Sequence, residues 1–256
     1  MEYTGFDKDF RLTHKVALVT GAAQGIGHAI AVLYAEKGAD VILVDRQDDV
    51  KTAAAAVTQF GRKALPLVAD ITSTASVRKV VQDSMQAFGK IDILVNCAGV
   101  ALLDDAETLS EEYWDTTMAV NLKACFIMAQ QVGREMIKAQ SGKIVNIASQ
   151  AGLIALDRHV AYCVSKAGLI GMTKVLAMEW AEFNINVNSI SPTVILTELG
   201  KKAWAGEVGE AMKKKIPVRR FGYPEEVAAV ALFLASDAAA MITGENIVID
   251  GGYTIQ

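Results

Sequence analysis

From Lys15 onward the chain alternates between short, β-rich apolar runs and longer stretches of helical period. Lys15–Thr20 (KVALVT), Val41–Asp45 (VILVD), Ala64–Ala69, Ile91–Asn96 (IDILVN), Lys143–Ala148 (KIVNIA), Ile185–Ile190 (INVNSI) and Asn246–Ile249 (NIVI) read as strands. Ile26–Glu36, Val50–Phe60, Ser76–Phe88, Glu111–Ala139, Val160–Glu182 and Glu225–Ala235 read as the helices between them. Strands apolar on both faces, each followed by a helix, predict an α/β fold whose parallel sheet is covered on both sides. Right-handed crossovers make such a sheet doubly wound. No Pro/Gly/Ser-rich linker or internal repeat interrupts the pattern, so residues 1–256 are expected to form one domain. The exception to the alternation is about 196–221, polar and irregular apart from a short helical piece. A connection of that length is expected to act as a mobile lid over a substrate or to be partly disordered.

Composition removes several other classes of protein. The 256 residues are 52% hydrophobic and 21% charged, which is the balance of a chain with an ordinary packed core rather than a disordered one. Lys+Arg 25 against Asp+Glu 29 leaves a net charge of −4 without single-sign blocks, so no nucleic-acid footprint is expected. The longest purely apolar run, Val227–Ala235, is far short of the roughly 18 residues of a spanning helix. Glu2, Asp7 and Asp9 argue against a signal peptide at the amino end. Cys97, Cys125 and Cys163 are odd in number and lie in apolar stretches, so reduced thiols and a cytoplasmic setting are expected. His14, His28 and His159 lie far apart and no Cys-x-x-Cys occurs; no metal site is predicted.

Thr20-Gly-Ala-Ala-Gln-Gly-Ile-Gly27 stands between the first strand and the first helix. Gly21, Gly25 and Gly27 permit a tight turn and close approach to a pyrophosphate, and the helix start, with Gln24 and Ile26, offers free N–H donors. A glycine-rich loop alone is weak evidence, but here it has the required strand before it and helix after it. Asp45 ends the second strand, 24 residues after Gly21, where a carboxylate would hydrogen-bond adenosine ribose hydroxyls and repel a 2′-phosphate. The adjacent Arg46 could tolerate that phosphate; the strand-end carboxylate points to NAD over NADP. Asp70 and Ile71, at the end of the third strand, are placed to border the adenine, although Asp70 could equally be an acid at the head of the next helix.

Tyr162 and Lys166 are four residues apart, on one face of a helix. A phenol in water titrates near ~10, so one that serves as a base at neutral pH needs a nearby cation to favour the phenolate. Ser149 follows the KIVNIA strand at the sheet's carboxyl edge, 13 residues before Tyr162. Asn121, flanked by Ala119-Val120 and Leu122, is either a helix-surface amide or a partner for water or a free helical carbonyl beside the lysine.

The Thr20–Gly27 loop, Asn96-Cys97-Ala98-Gly99, Asn121, Ser149, Tyr162-x-x-x-Lys166, Pro192–Thr197 and Asp250-Gly-Gly252 resemble, in order and spacing, the short-chain dehydrogenase/reductase family. The likeness runs from about Arg11 to the end. It implies a single-domain Rossmann fold of seven parallel strands, usually a homotetramer. It also implies roles: Tyr162 as acid/base, Ser149 orienting the substrate oxygen, Lys166 binding the nicotinamide ribose and favouring the phenolate, and Asn121 holding a water in a proton relay. Asn96, Ala98, Gly99, Pro192, Thr193, Ile195 and Thr197 would join the cofactor site.

Two departures stand out. Cys97 replaces a frequent Asn, and Pro192-Thr193 replaces a frequent Pro-Gly. The stretch Ser191–Leu199 is similar to members acting on ketoses and sugar alcohols, such as xylulose reductases and tetritol dehydrogenases. The expected activity is therefore reversible hydride transfer between NAD and a secondary alcohol of a small polyol, giving a ketose. Gln150, His159, Thr193 and Glu198 are the polar candidates for holding the substrate's hydroxyls, each with an alternative reading as an ordinary loop residue. Two rivals are an NADP-linked ketone or 3-ketoacyl reductase and a non-catalytic nucleotide-sensing protein. Asp45 and Gln24 oppose the first; the presence of Ser149, Tyr162 and Lys166 together opposes the second.

Overall fold

The computed structural model describes residues 5–255; Glu2 lies outside them. Seven strands form one parallel sheet: β1 (Val16–Thr20), β2 (Asp40–Asp45), β3 (Ala64–Val68), β4 (Ile93–Asn96), β5 (Gly142–Ile147), β6 (Ile185–Pro192) and β7 (Asn246–Ile249). Their order is β3-β2-β1-β4-β5-β6-β7. The winding reverses between β1 and β4, and the crevice at the carboxyl ends of those strands is where an open α/β sheet binds ligands.

All five residues of β1 are buried, because each face of the sheet has its own helical cover. Ala17 and Val19 point to the side of α1 (Gly25–Glu36), where Ile30, Ala31 and Tyr34 meet Val227, Ala228 and Ala231 of α9 (Pro224–Ala235). The Tyr34 hydroxyl donates to the Ala231 carbonyl at 2.8 Å, so its one polar atom is satisfied inside that layer. Val16 and Leu18 point to the other side, with Val77, Val80 and Val81 of α3 (Thr74–Phe88) and Ile127, Met128 and Val132 of α5 (Ala124–Ala139). α2 (Val50–Thr58) closes the first layer through Val50, Ala53, Ala54 and Val57.

Two expectations need correction. The periodicity over Glu111–Ala139 predicts one helix, but it is three pieces: α4 (Glu111–Met118), a π-helical turn at Ala119–Lys123, and α5. Within the turn the Ala124 N–H donates to the carbonyl of Ala119, five residues back. Shifting the ladder to that wider register and back leaves one carbonyl of the segment without a helical donor, and such turns are often found at functional sites. Apolar spacing cannot reveal a one-residue insertion, because side chains on either side keep their faces.

The second correction concerns 196–221, expected to be largely irregular. It contains α7 (Glu198–Ala203) and α8 (Glu207–Lys215). Its two feet are joined, Leu196 N–H donating to Gly222 O at 2.9 Å and Gly222 N–H to Val194 O at 3.0 Å. Ile216 and Phe221, near its carboxyl end, are buried. α6 (Val160–Trp180) carries the remaining candidates; it is long and apolar enough to cross a membrane, yet its buried residues, among them Leu169, Ile170 and Leu176, sit in the protein interior.

Candidate active site

The glycine-rich turn is built as the sequence implies. Gly21 and Gly25 have φ of +67° and +61°, a region that side chains rarely enter. A Cβ on Gly21 would lie 2.9 Å from the Ala98 backbone, and one on Gly27 would strike the Gly21 carbonyl. Thr20 locks the turn to the β4 loop: its Oγ1 accepts from the N–H groups of Cys97 (3.0 Å) and Ala98 (3.2 Å). Gln24 precedes α1 in an extended conformation and no side chain caps the helix, so its first-turn N–H groups have no protein side-chain acceptor. Ile26 and Ala98 are half-buried, packed against the two core layers. Burial pushes the Cys97 thiol up to about 12, so it stays protonated beside the turn.

Asp45 reaches this turn directly. One carboxylate oxygen accepts from Ala23 N–H and the other from Gln47 N–H, both at 3.1 Å. Arg46 is exposed next to it. Asp70 accepts from both the hydroxyl and the N–H of Thr72, at 2.7 and 2.9 Å, and these bonds, with the charge of Arg46, hold its carboxyl below the usual range. Ile71, expected at the adenine, is buried in the layer with Val77 and Val80. Asn96 is the last residue of β4. Its side chain points into the interior, donating to Asn146 Oδ1 at 2.9 Å, and Asn146 in turn donates to Thr173 of α6 at 2.9 Å. That chain ties β4 to β5 and α6; only the backbone of Asn96 is left to face a ligand.

Lys166 is buried, and its Nζ donates to the carbonyl of Ile147 at the end of β5 at 2.8 Å. The same Nζ is 5.7 Å from the Tyr162 ring centre, so the four-residue spacing does bring ammonium and phenol together. A Cβ on Gly99 would lie 3.7 Å from Lys166 Nζ and 3.3 Å from Asn121 Oδ1, which brings the β4 loop to the same point. Ser149 begins a short 3-10 turn, its Oγ accepting from Ala151 N–H at 3.1 Å. Gly152 presses that turn onto α6: a Cβ there would be 2.8 Å from the Lys166 backbone. Asn121 is fully buried in the π-helical turn, and its side chain is committed to protein: Oδ1 accepts from Val100 N–H (2.8 Å), while Nδ2 donates to Val100 O (2.9 Å) and Ser165 Oγ (3.2 Å). The Asn121 amide, expected to be at the helix surface or bonded to water, is thus engaged by protein groups. Ser165 and the Ile147 carbonyl were not legible in the sequence, because a serine between Tyr162 and Lys166 and a strand-end carbonyl carry no pattern of their own.

On the substrate side, His159 stands edge-on to Tyr162, ring centres 6.0 Å apart, with Nδ1 against the Asp157 carbonyl. Gln150 Oε1 and Thr193 Oγ1 are both buried without a hydrogen-bond partner. Such orphans are uncommon inside proteins and are expected where a ligand supplies the missing partner. Pro192 ends β6, and Thr193 N–H donates to Ile249 O at 3.0 Å. Ile195 is buried and bridges to Gly222; Thr197 caps α7, and its methyl lies 3.1 Å from where a Cβ on Gly25 would be. The 196–221 segment therefore starts directly over the glycine-rich turn. Glu198 pairs with Lys201 at 2.6 Å on the exposed side of α7.

Both the sequence and the fold have relatives among known proteins. Residues 21–254 match a family model described as enoyl-(acyl carrier protein) reductase. The chain is 65% identical to an NAD-dependent glycerol dehydrogenase of Listeria innocua over the whole of both chains. This chain belongs to the short-chain dehydrogenase/reductase family. It is also 56% identical to the D-threitol dehydrogenase of Mycolicibacterium smegmatis, over 98% of this chain and 96% of that one. Among solved structures, a short-chain alcohol dehydrogenase from Sinorhizobium meliloti superposes with a TM-score of 0.93 at 40% identity, covering 96% of this chain and 99% of the other.

Proposed function

We propose that this short-chain dehydrogenase/reductase is an NAD-dependent polyol dehydrogenase, reversibly converting a secondary alcohol of a small polyol such as a tetritol into a ketose. The observation that carries the reading is the convergence of Tyr162, Lys166 and the Ser149 turn beside the glycine cradle. The cradle fits a dinucleotide: Gly21, Gln24, Gly25, Ile26 and Gly27 would face its pyrophosphate, Asp45 with Arg46 its adenosine ribose, and Asp70 with Ile71 its adenine. The backbones of Asn96, Ala98, Gly99 and Pro192, with Ile195 and Thr197, would line the nicotinamide half. When bound, NAD supplies a hydride acceptor. Tyr162 takes the hydroxyl proton as the carbinol carbon gives up its hydride, and Ser149 hydrogen-bonds the oxygen on which charge changes. Lys166, anchored by Ile147 O, keeps its remaining N–H donors for the phenol side and the ribose.

The two buried orphans, Gln150 Oε1 and Thr193 Oγ1, support a substrate rich in hydroxyl donors, and the polyols named for the relatives have that chemistry. His159 is set to hold the substrate against the Tyr162 ring. A screen of three- to six-carbon polyols with NAD and NADP, following the absorbance of the reduced nicotinamide, is expected to show turnover with glycerol or tetritols. Turnover only with ketoacyl thioesters and NADPH would replace this reading by the rival reductase. With three free thiols among its described residues, the enzyme is proposed to work in the cytoplasm.

Cofactor choice has its own test. Asp45→Ala is expected to narrow or reverse the NAD/NADP ratio of kcat/KM by about ten- to a hundred-fold, the scale of hydrogen bonds to a charged group. Because Asp45 also accepts from Ala23 N–H, Asp45→Asn serves beside it, keeping an acceptor while removing the charge. An unchanged ratio in both variants would remove Asp45 from the selection.

Assembly as a homotetramer is proposed through α4–α6. An open groove of about 690 Å³ runs between these helices, lined by Met118, Leu122, Phe126 and Met172 with Asp115 and Lys123 at its edge. Phe126, Val164, Val175 and Met178 are exposed on the same helices, apolar surface that partner subunits would cover. Sedimentation at micromolar concentration should give a tetramer; a monomer would reject this assembly.

A further inference from the structure

The loop after β4 and the loop after β5 both leave from the candidate site. The first begins at Gly99, against Asn121 and Lys166; the second begins at Ser149 and ends at His159 and Tyr162. Far apart in sequence, they are joined by Arg158. Its guanidinium Nη2 lies 3.5 Å from the Asp104 carboxylate and its Nε 3.3 Å from that of Asp105. Arg158 holds a left-handed backbone, φ 62°, which non-glycine residues seldom adopt, between Asp157, whose carbonyl meets the His159 ring, and His159 itself. Any change in its posture passes through one peptide unit to the ring that stands against Tyr162.

An unengaged arginine at this place would be a ready anchor for a carboxylate or phosphate, since its planar fork matches either group with two parallel hydrogen bonds. Here one positive charge meets two negative ones. The Asp105 N–H, bonded to Asp104 at 2.9 Å, heads the causes that hold the Asp104 carboxyl below its usual range, so Asp104 keeps its negative charge at neutral pH.

We infer that Arg158 is a positioning residue that sets the substrate's charge class: clasped by Asp104 and Asp105, it closes the wall between the two loops and leaves the cleft selective for neutral polyols over aldonates and sugar phosphates. This deepens the polyol reading and rests on it. Specificity then comes from denying anions an anchor and facing them with net negative charge.

The test uses the full-length protein with NADH bound, reading cofactor fluorescence. The dissociation constants of threitol and of a four-carbon aldonate are measured for wild type, D104N/D105N, and D104N/D105N/R158Q. D104N/D105N is expected to tighten aldonate binding relative to threitol by about ten-fold at low salt, the gain fading as salt screens the freed guanidinium. The triple variant should lose that gain, because the anchor is gone. An aldonate-to-threitol ratio within about two-fold of wild type, or a gain that survives R158Q, would overturn the assignment.

A second measurement does not depend on the acidic pair. R158Q should raise KM for the polyol by about ten-fold while kcat changes far less, as expected for lost uniform binding, and R158K should restore most of it. Equal losses in KM and kcat without rescue by lysine would overturn a positioning role. The aldonate arm reads binding rather than turnover. Wild type that neither binds nor oxidises glycerol or threitol would therefore sink the polyol reading, while the charge effect of Arg158 would still be decided by the aldonate dissociation constants of wild type and the two variants taken alone.

Discussion

Tyr162→Phe is expected to abolish most turnover while leaving the cofactor site intact. The substitution removes one oxygen and keeps the ring that meets His159 edge-on and faces Lys166. No hydrogen bond within the protein holds the cleft together through that hydroxyl among the described contacts, so folding should not suffer. Loss of a proton-transfer group typically costs ~10²–10⁴ in rate, or about 3–5 kcal/mol of transition-state stabilisation. NAD affinity, titrated separately by fluorescence, should stay within about three-fold, because the phenol is asked to act on the substrate oxygen rather than to hold the dinucleotide. Retention of more than about a tenth of wild-type kcat would mean that another group carries the proton.

Lys166→Met is expected to damage both binding and chemistry, and to do so without unfolding the enzyme. The ammonium is buried, bonded to Ile147 O, and forms no ion pair with a carboxylate among the described residues. Removing it loses a charged hydrogen bond and leaves the carbonyl unpaired, costing about 1–3 kcal/mol. It also removes the desolvation penalty of a buried charge, which is several kcal/mol. The second effect is the larger, so thermal stability should hold or rise while kcat falls by ~10² or more. Weaker NAD binding, by about ten-fold on the scale of a charged hydrogen bond, is expected alongside. A variant that loses activity and Tm together would recast Lys166 as a structural brace for β5 and α6.

Much of this machine can be read along the chain. Each of the seven strands lies within one or two residues of its apolar run, because burial on both faces demands continuous apolar sequence. The glycine turn was legible for a related reason: φ values of +67° and +61° and a backbone packed against the Ala98 and Gly21 carbonyl regions tolerate no side chain. Tyr162 and Lys166 share a helix face by simple periodicity, and Asp45 ends its strand where the carboxyl edge must be.

What lay beyond the sequence depends on contacts between distant segments. Asn96 reads as a cofactor residue by its place beside the turn, yet the partner that decides its direction is Asn146, on a different strand. Asn121 reads as a helix-surface amide or a partner for water, yet Val100 and Ser165 engage its side chain inside a π-helical turn. The 196–221 segment lacks periodicity strong enough to predict two helices, and the burial of its own Ile216 and Phe221 supplies the order that local propensity does not. The sequence by itself determined the doubly wound sheet, the cradle and the Tyr–Lys pair, because each follows from short-range periodicity or from a steric limit at one residue. Only the tertiary structure decided that Lys166 is aimed by Ile147 O, that Gln150 and Thr193 keep unpaired buried oxygens, and that Arg158 spans two loops. Hydrogen bonds and ion pairs act over about 3–4 Å in space, and no spacing along the chain encodes which distant groups will meet.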